Sequence, residues 1–130
     1  MSLVDPAVDG LTKLRNAEMA SKKSCMLKPA SKFIGEILKV AKENTYIEDY
    51  KAIDEKGVLS YEVKLNGRMN TCKGIQPRHA VKRQGFEKFE KRYLPARDVG
   101  ILVVSTPQGV MSHRDAKKKG IGGRLVAFIY

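Results

Sequence analysis

This sequence has no tryptophan, and only 7% of its residues are aromatic. Its two cysteines, Cys25 and Cys72, stand far apart and form no C-x-x-C pair. Its two histidines, His79 and His113, complete no ligand set with them, which argues against a zinc site. No apolar run approaches the ~20 residues that a membrane span needs; Gly100 to Val104 is only strand-length. The signatures of nucleotide and acyl-transfer enzymes are missing: no GxxxxGK[ST], no GxGxxG after a strand and no GxSxG elbow. Neither histidine has a carboxylate or nucleophile at motif spacing, so both are expected on the surface and no enzyme is expected. No low-complexity linker, internal repeat or secretory signal is evident. The cysteines are therefore expected as free thiols in a reducing cytosol, with a disulfide left open by the sequence.

Acidic residues are also scarce. Fourteen Asp and Glu face twenty-five Lys and Arg in 130 residues, a net charge of +11. That surplus points to a polyanionic partner held through phosphate contacts and counterion release. Its distribution is uneven. Residues 1–72 hold twelve basic against ten acidic residues, and residues 73–130 hold thirteen against four. Within the first half, residues 13–32 carry six basic residues against Glu18 alone, and residues 33–72 are slightly acidic. A polyanion should contact the early basic segment and the second half, and avoid the acidic middle.

Hydrophobic residues make up 42% of the chain, enough for a folded core. Asp5-Pro6 is a helix start, with Asp5 as N-cap and Pro6 in the first helical position. Val8, Leu11 and Leu14 line one face of that helix, with Thr12, Arg15 and Asn16 mainly on another. Cys25 to Lys28 reads as a strand ended by Pro29. Ser31 caps a second helix whose stripe Phe33, Ile34, Ile37, Leu38 and Ala41 has helical spacing. Tyr46 to Asp54 and Val58 to Leu65 flank a turn at Glu55-Lys56-Gly57. Residues 1–67 thus read as an α-β-α-β-β sub-domain, and Asn66-Gly67 is a turn. Residues 68–130 read as mostly β with one short helix. Ile75 to Arg78 suggests a strand, while Val81 to Arg92 is too charged and broken to assign. The fold class is α+β, with two small, closely packed sub-domains.

The C-terminal segment carries two polar loops on apolar strands. Thr106-Pro107-Gln108-Gly109 fits a type I turn. Ser112 and Asp115 form a capping box for a short helix. Lys117, Lys118 and Lys119 occupy its last turn, and Gly120 suits the left-handed position beyond it. Lys118 represents this triplet as an RNA contact, the alternative being a solvated helix face. Gly122-Gly123 would let another backbone approach closely, with RNA one candidate and a simple turn the other.

These motifs resemble the small-subunit ribosomal protein eight family over nearly the whole chain. The resemblance rests on Asp5-Pro6 with Leu11-Thr12-Lys13-Leu14-Arg15-Asn16, on Pro29-Ala30-Ser31-Lys32, and on a C-terminal signature. That signature is Val104-Ser105-Thr106, then Gly109-Val110-Met111, then Gly120-Ile121-Gly122-Gly123. Arg92-Tyr93-Leu94-Pro95-Ala96-Arg97 is similar to the archaeal and eukaryotic branch.

The resemblance implies a cytoplasmic constituent of the small ribosomal subunit, without cofactor or metal. Its partners would be the central domain of small-subunit rRNA, at an irregular internal loop of a long hairpin, and neighbouring ribosomal proteins. It would help assemble the platform of the subunit. The alternative is a free translational regulator that binds a hairpin in its own operon mRNA. Ser105 and Thr106, with Gln108 and Gly109, would reach bases of the distorted loop, and Gly122 and Gly123 would face the same minor groove. Thr12, Arg15, Asn16, Ser31 and Lys32 would contact the RNA backbone. Phe86 matches an aromatic that stacks on RNA, with core packing as its other reading. Two positions depart from the family pattern: Pro107 stands where many relatives have Ser or Thr, and His79 where close relatives often have an aromatic. The physical logic agrees, because A-form RNA hides its base edges in a deep major groove and is read through the minor groove and distorted loops.

Overall fold

A computed structural model describes residues 6–27, 31–75, 78–96 and 99–130. The expected cap Asp5, the strand-ending Pro29 with Lys28 and Ala30, and Gln76, Pro77 and Arg97 lie outside the described residues. The chain forms two compact units, residues 1–73 and 74–130.

In the first unit, helix α1 (Pro6–Met19), strand β1 (Ser24–Leu27), helix α2 (Lys32–Glu43) and strands β2 (Asp49–Glu55) and β3 (Val58–Lys64) follow one another. This is the order read from the sequence. The strands form an antiparallel sheet in the order β1-β3-β2. On α1, Leu11, Leu14 and Ala17 are buried while Thr12 and Asn16 are exposed, as a 3.6-residue period requires. Ser31 caps α2, its hydroxyl accepting a hydrogen bond from the Ile34 amide at 3.4 Å. Ile34, Ile37, Leu38 and Ala41 are fully buried, with Phe33 half-buried at the margin. Each large aliphatic buried this way stabilises the fold by about 1.5–3 kcal/mol.

The β2–β3 turn is Lys56-Gly57, both with positive φ (+52° and +80°). That pairing suits a tight hairpin, because its twist matches that of the strands. β2 starts at Asp49 rather than at Tyr46, since Thr45 adopts a φ of +64° and bends the chain before it can pair.

The second unit contains strand β5 (Ala80–Val81), helix α3 (Phe86–Tyr93), strands β6 (Ile101–Thr106) and β7 (Gly109–Ser112), helix α4 (His113–Lys119) and strand β8 (Gly123–Ile129). Strand β4 (Cys72–Gly74) marks the passage from one unit to the next. Among the described residues the sheet order is β4-β8-β6-β7, with β5 also pairing β8. β6 and β8 are antiparallel, and a bulge at Val126 shifts their register between Val103 and Val104. Ile75, Val81, Phe86, Leu94, Leu102, Val104, Met111, Ala116 and Leu125 form the core.

The fold is α+β, and two short helices, not one, accompany the second sheet. Helix α3 was illegible because five of its eight residues are charged and its Gly85 cap makes no side-chain bond. Its apolar signal is a thin stripe, Phe86, Phe89 and Tyr93, which only burial against the sheet makes decisive.

Candidate nucleic-acid interface

Strands β6 and β7 meet at a two-residue turn, Pro107-Gln108, where Thr106 pairs with Gly109. The Thr106 hydroxyl donates to the Gly109 carbonyl at 2.7 Å and accepts from the Gln108 amide at 3.2 Å. Those two bonds close the tip into a rigid hydroxyl-stapled turn. The tip itself is open: Pro107, Gln108 and Gly109 are exposed and Ser105 is partly so.

Thr106 requires a correction. Ser105 and Thr106 are consecutive strand residues, so their side chains leave opposite faces of the sheet. Thr106 turns inward, is 9% exposed, and has its hydroxyl proton engaged within the turn. It shapes the tip, while Ser105 and Gln108 are the side chains left accessible there.

Gly122 and Gly123 come beside this tip, because Arg124 pairs with Ser105 across β6–β8. Both are also needed by the fold itself. A Cβ on Gly123 would collide with the Ser105 carbonyl oxygen and lie 2.9 Å from Val104 Cγ1. A Cβ on Gly122 would collide with the Val81 carbonyl oxygen and lie 3.0 Å from the Arg83 amide nitrogen. The backbone that needs these glycines is the protein's own: Gly122 lies against the chain at Val81–Arg83, and Gly123 against β6 at Ser105.

Helix α4 leaves directly from β7. The Ser112 hydroxyl accepts from the Asp115 amide at 3.3 Å, and Gly120 closes the helix at φ +68°. The lysine triplet divides by function. Lys117 is held at 2.6 Å by Glu90 of α3, whereas Lys118 and Lys119 point to solvent.

The same Glu90 oxygen lies 2.7 Å from His113 Nε2. His113 is 2% exposed, not a surface residue. Its Nδ1 accepts from the Leu102 amide at 3.0 Å, so Nε2 carries the proton and donates to Glu90. Burial holds the imidazole pKa below its ordinary value, outweighing the opposing pull of Glu90. Burial works against ionisation of Glu90 too, but the Lys117 and His113 contacts win and lower its pKa. Both ring nitrogens are committed, so the pair ties α3 to α4 and β6 rather than offering a catalytic base. His79 is half-buried, with its ring stacked 5.7 Å from that of Phe89.

Phe86 requires the second correction. It is 1% exposed in the centre of the core, so its ring cannot stack on RNA.

In the first unit, Thr12 and Asn16 share the exposed face of α1, and Lys32 is exposed at the start of α2. The Ser31 hydroxyl is engaged as a cap. Arg15 is half-buried with its Nε out of reach of solvent, so only the outer part of its guanidinium can meet a ligand. Asn16 shares a hollow of about 360 Å³ with Lys13, Lys22, Ser24 and Cys25. Amide, hydroxyl and ammonium groups there match phosphate and sugar oxygens. A larger hollow of about 850 Å³ sets Glu18, Glu48 and Glu62 against Lys22, Lys23 and Lys64, so its charges balance and it offers a polyanion no net attraction.

Sequence reasoning passed over Lys22, Ser24 and Arg124. Arg124 is exposed beside Gly123 and opposite Ser105 in register. Its one available signal was its place immediately after the double glycine.

Both cysteines are free thiols, and burial pushes the Cys72 pKa up to about 12, leaving it inert. Among the described residues no cluster of His, Cys, Asp and Glu could hold a metal, and no helix is long and apolar enough to cross a membrane.

The second unit thus presents an open hydroxyl-and-amide tip, and the first unit by itself presents a polar, lysine-flanked helix face. A family model described as ribosomal protein S8 matches residues 5–130, essentially the whole chain. The chain belongs to the ribosomal protein S8 family, and is a structural, rRNA-binding protein of the small ribosomal subunit.

Proposed function

We propose that this protein binds the central domain of small-subunit rRNA as a primary assembly protein, at an irregular internal loop of a long hairpin, and so helps form the platform. Ser105, Gln108 and Gly109 read the distorted minor groove. Thr106 holds the tip in shape, and Gly122 and Gly123 let the backbone pack closely beside it. Arg124 and Lys118 hold phosphates nearby. The segment from residue 68 onward supplies this specificity, while Thr12, Arg15, Asn16 and Lys32 in residues 1–67 grip the RNA backbone.

The observation that carries this reading is the β6–β7 tip: an open turn stapled by its own hydroxyl, with uncharged polar groups exposed at its end. Small groups suit a shallow groove, and a turn already ordered loses little entropy on binding.

Nuclease footprinting of total small-subunit RNA with the purified protein tests it. Protection confined to one central-domain hairpin, with weak binding to arbitrary duplexes at near-cellular salt, is the expected result. Equal grip on any duplex refutes it. Tighter binding to the protein's own operon mRNA than to rRNA would favour the regulatory alternative.

A further inference from the structure

Five rings of the second unit form one continuous ladder. His79 stacks on Phe89, Phe89 on Tyr93, Tyr93 on Phe128, and Phe128 on Tyr130. Successive centroids are 5.4–6.5 Å apart, and the planes diverge by 8–27°. These separations lie in the upper part of the range for offset-stacked rings. All five are only partly buried, and the four carbocyclic rings lie over a core that Phe86 and its aliphatic neighbours already fill.

The ladder is framed by cations. Lys88 Nζ sits 5.8 Å from the Phe89 centroid, and the Arg92 guanidinium 5.4 Å from that of Tyr93. The acids of the same helix are neutralised: Glu87 pairs with Lys91 at 3.5 Å, and Glu90 is turned to His113 and Lys117. The face is thus aromatic and positively charged.

We infer that this ladder is a second RNA-contact surface, a stacking platform for unpaired nucleotides, separate from the β6–β7 tip. The inference rests on the RNA-binding reading above but concerns a different form of RNA. A row of π-faces beside ammonium and guanidinium groups is the pattern that holds single strands, with bases on the rings and phosphates on the cations. An apolar protein segment would gain nothing from Lys88 and Arg92. A duplex cannot use the platform, because its bases are already stacked. Phe128 lies five residues along β8 from Gly123, roughly 16 Å at the usual strand rise, so one strand position serves the tip and another the ladder.

The test uses the full chain, a twelve-nucleotide oligouridylate as the unstructured probe, and the central-domain hairpin as reference. Binding is read by fluorescence anisotropy, and contacts by ultraviolet crosslinking with peptide identification. Leucine keeps the packing volume but removes the π-face. The double variant Phe89→Leu/Tyr93→Leu should therefore lose about tenfold or more in oligouridylate affinity. It should keep its hairpin affinity within about twofold and leave the salt slope unchanged. Lys88→Gln and Arg92→Gln should instead flatten that slope. Phe89→Tyr and Tyr93→Phe should bind like wild type. If the double leucine variant fails to fold, His79→Leu and Tyr130→Leu at the ladder's ends replace it.

Unchanged oligouridylate affinity in folded leucine variants overturns the inference. So does wild-type protein that binds the hairpin but not the oligouridylate, which leaves the proposed function standing. Failure to bind either RNA overturns both. Crosslinks from these rings to a neighbouring protein alone, in assembled subunits, would make this face a protein-docking surface and refute the platform.

Discussion

Replacing His113 with glutamine should remove a specific part of the acid sensitivity of this fold. His113 is buried and neutral, held between the Leu102 amide and the Glu90 carboxylate. Protonation of Nδ1 would expel the Leu102 N–H and place a cation in a desolvated site that Lys117 and Arg114 also make less hospitable. The folded-state pKa is therefore depressed below the ordinary 6.5. The unfolded chain then binds more protons than the native one at pH values below 6.5, so stability falls as the pH is lowered through that value. A single such histidine contributes at most about 1.4 kcal/mol of loss between pH 6.5 and 5.5. His113→Gln keeps an acceptor and a donor of similar reach but does not titrate. Urea unfolding followed by circular dichroism at pH 7.5, 6.5 and 5.5 would compare the two. The variant should be less stable than wild type at pH 7.5, and the stability difference should shrink as the pH falls. Parallel pH profiles for the two proteins would show that His113 is not held neutral, and the reading of the α3–α4 tie would be wrong.

Five other changes test the remaining geometry. Gly123→Ala should cost about 1–3 kcal/mol in thermal unfolding, because the new methyl meets the Ser105 carbonyl rather than a yielding side chain; wild-type stability would refute that close approach. Ser105→Ala should weaken hairpin binding by about 1 kcal/mol with unchanged stability. Thr106→Ala should lower stability by about 1 kcal/mol as the tip loses its staple, which differential scanning calorimetry would detect; the opposite pattern would restore Thr106 as a direct contact. Phe86→Ala should destabilise by about 3–5 kcal/mol, and a folded variant with selectively lost RNA affinity would return Phe86 to the interface. Glu90→Gln should remove stability that wild type shows above pH 4.5 and loses below it, since the carboxyl pKa is lowered in the fold.

The elements with strong local signals were legible without coordinates. The stripe on α2, the Ser31 and Ser112 caps, the left-handed Gly120 and the alternation of β3 each depend on residues within one or two turns of chain. The positions of the loops were legible for the same reason, and so was the uneven positive charge. What a loop residue does was less so. Ser105 and Thr106 look alike in sequence, yet strand pleating sends one outward and the other into the turn.

Sequence by itself determined the α+β class, the order of most elements, the cationic second half and the family. Each is carried by composition, by short-range periodicity or by motifs read in line. Tertiary structure alone decided that Phe86 is core and that the double glycine serves the protein's own backbone. It alone bound His113 to Glu90, residues 23 positions apart, and joined His79, Phe89, Tyr93, Phe128 and Tyr130 into one ladder. Those facts depend on which distant segments the sheet and helices bring within a few ångströms of one another, and no local pattern encodes that distance.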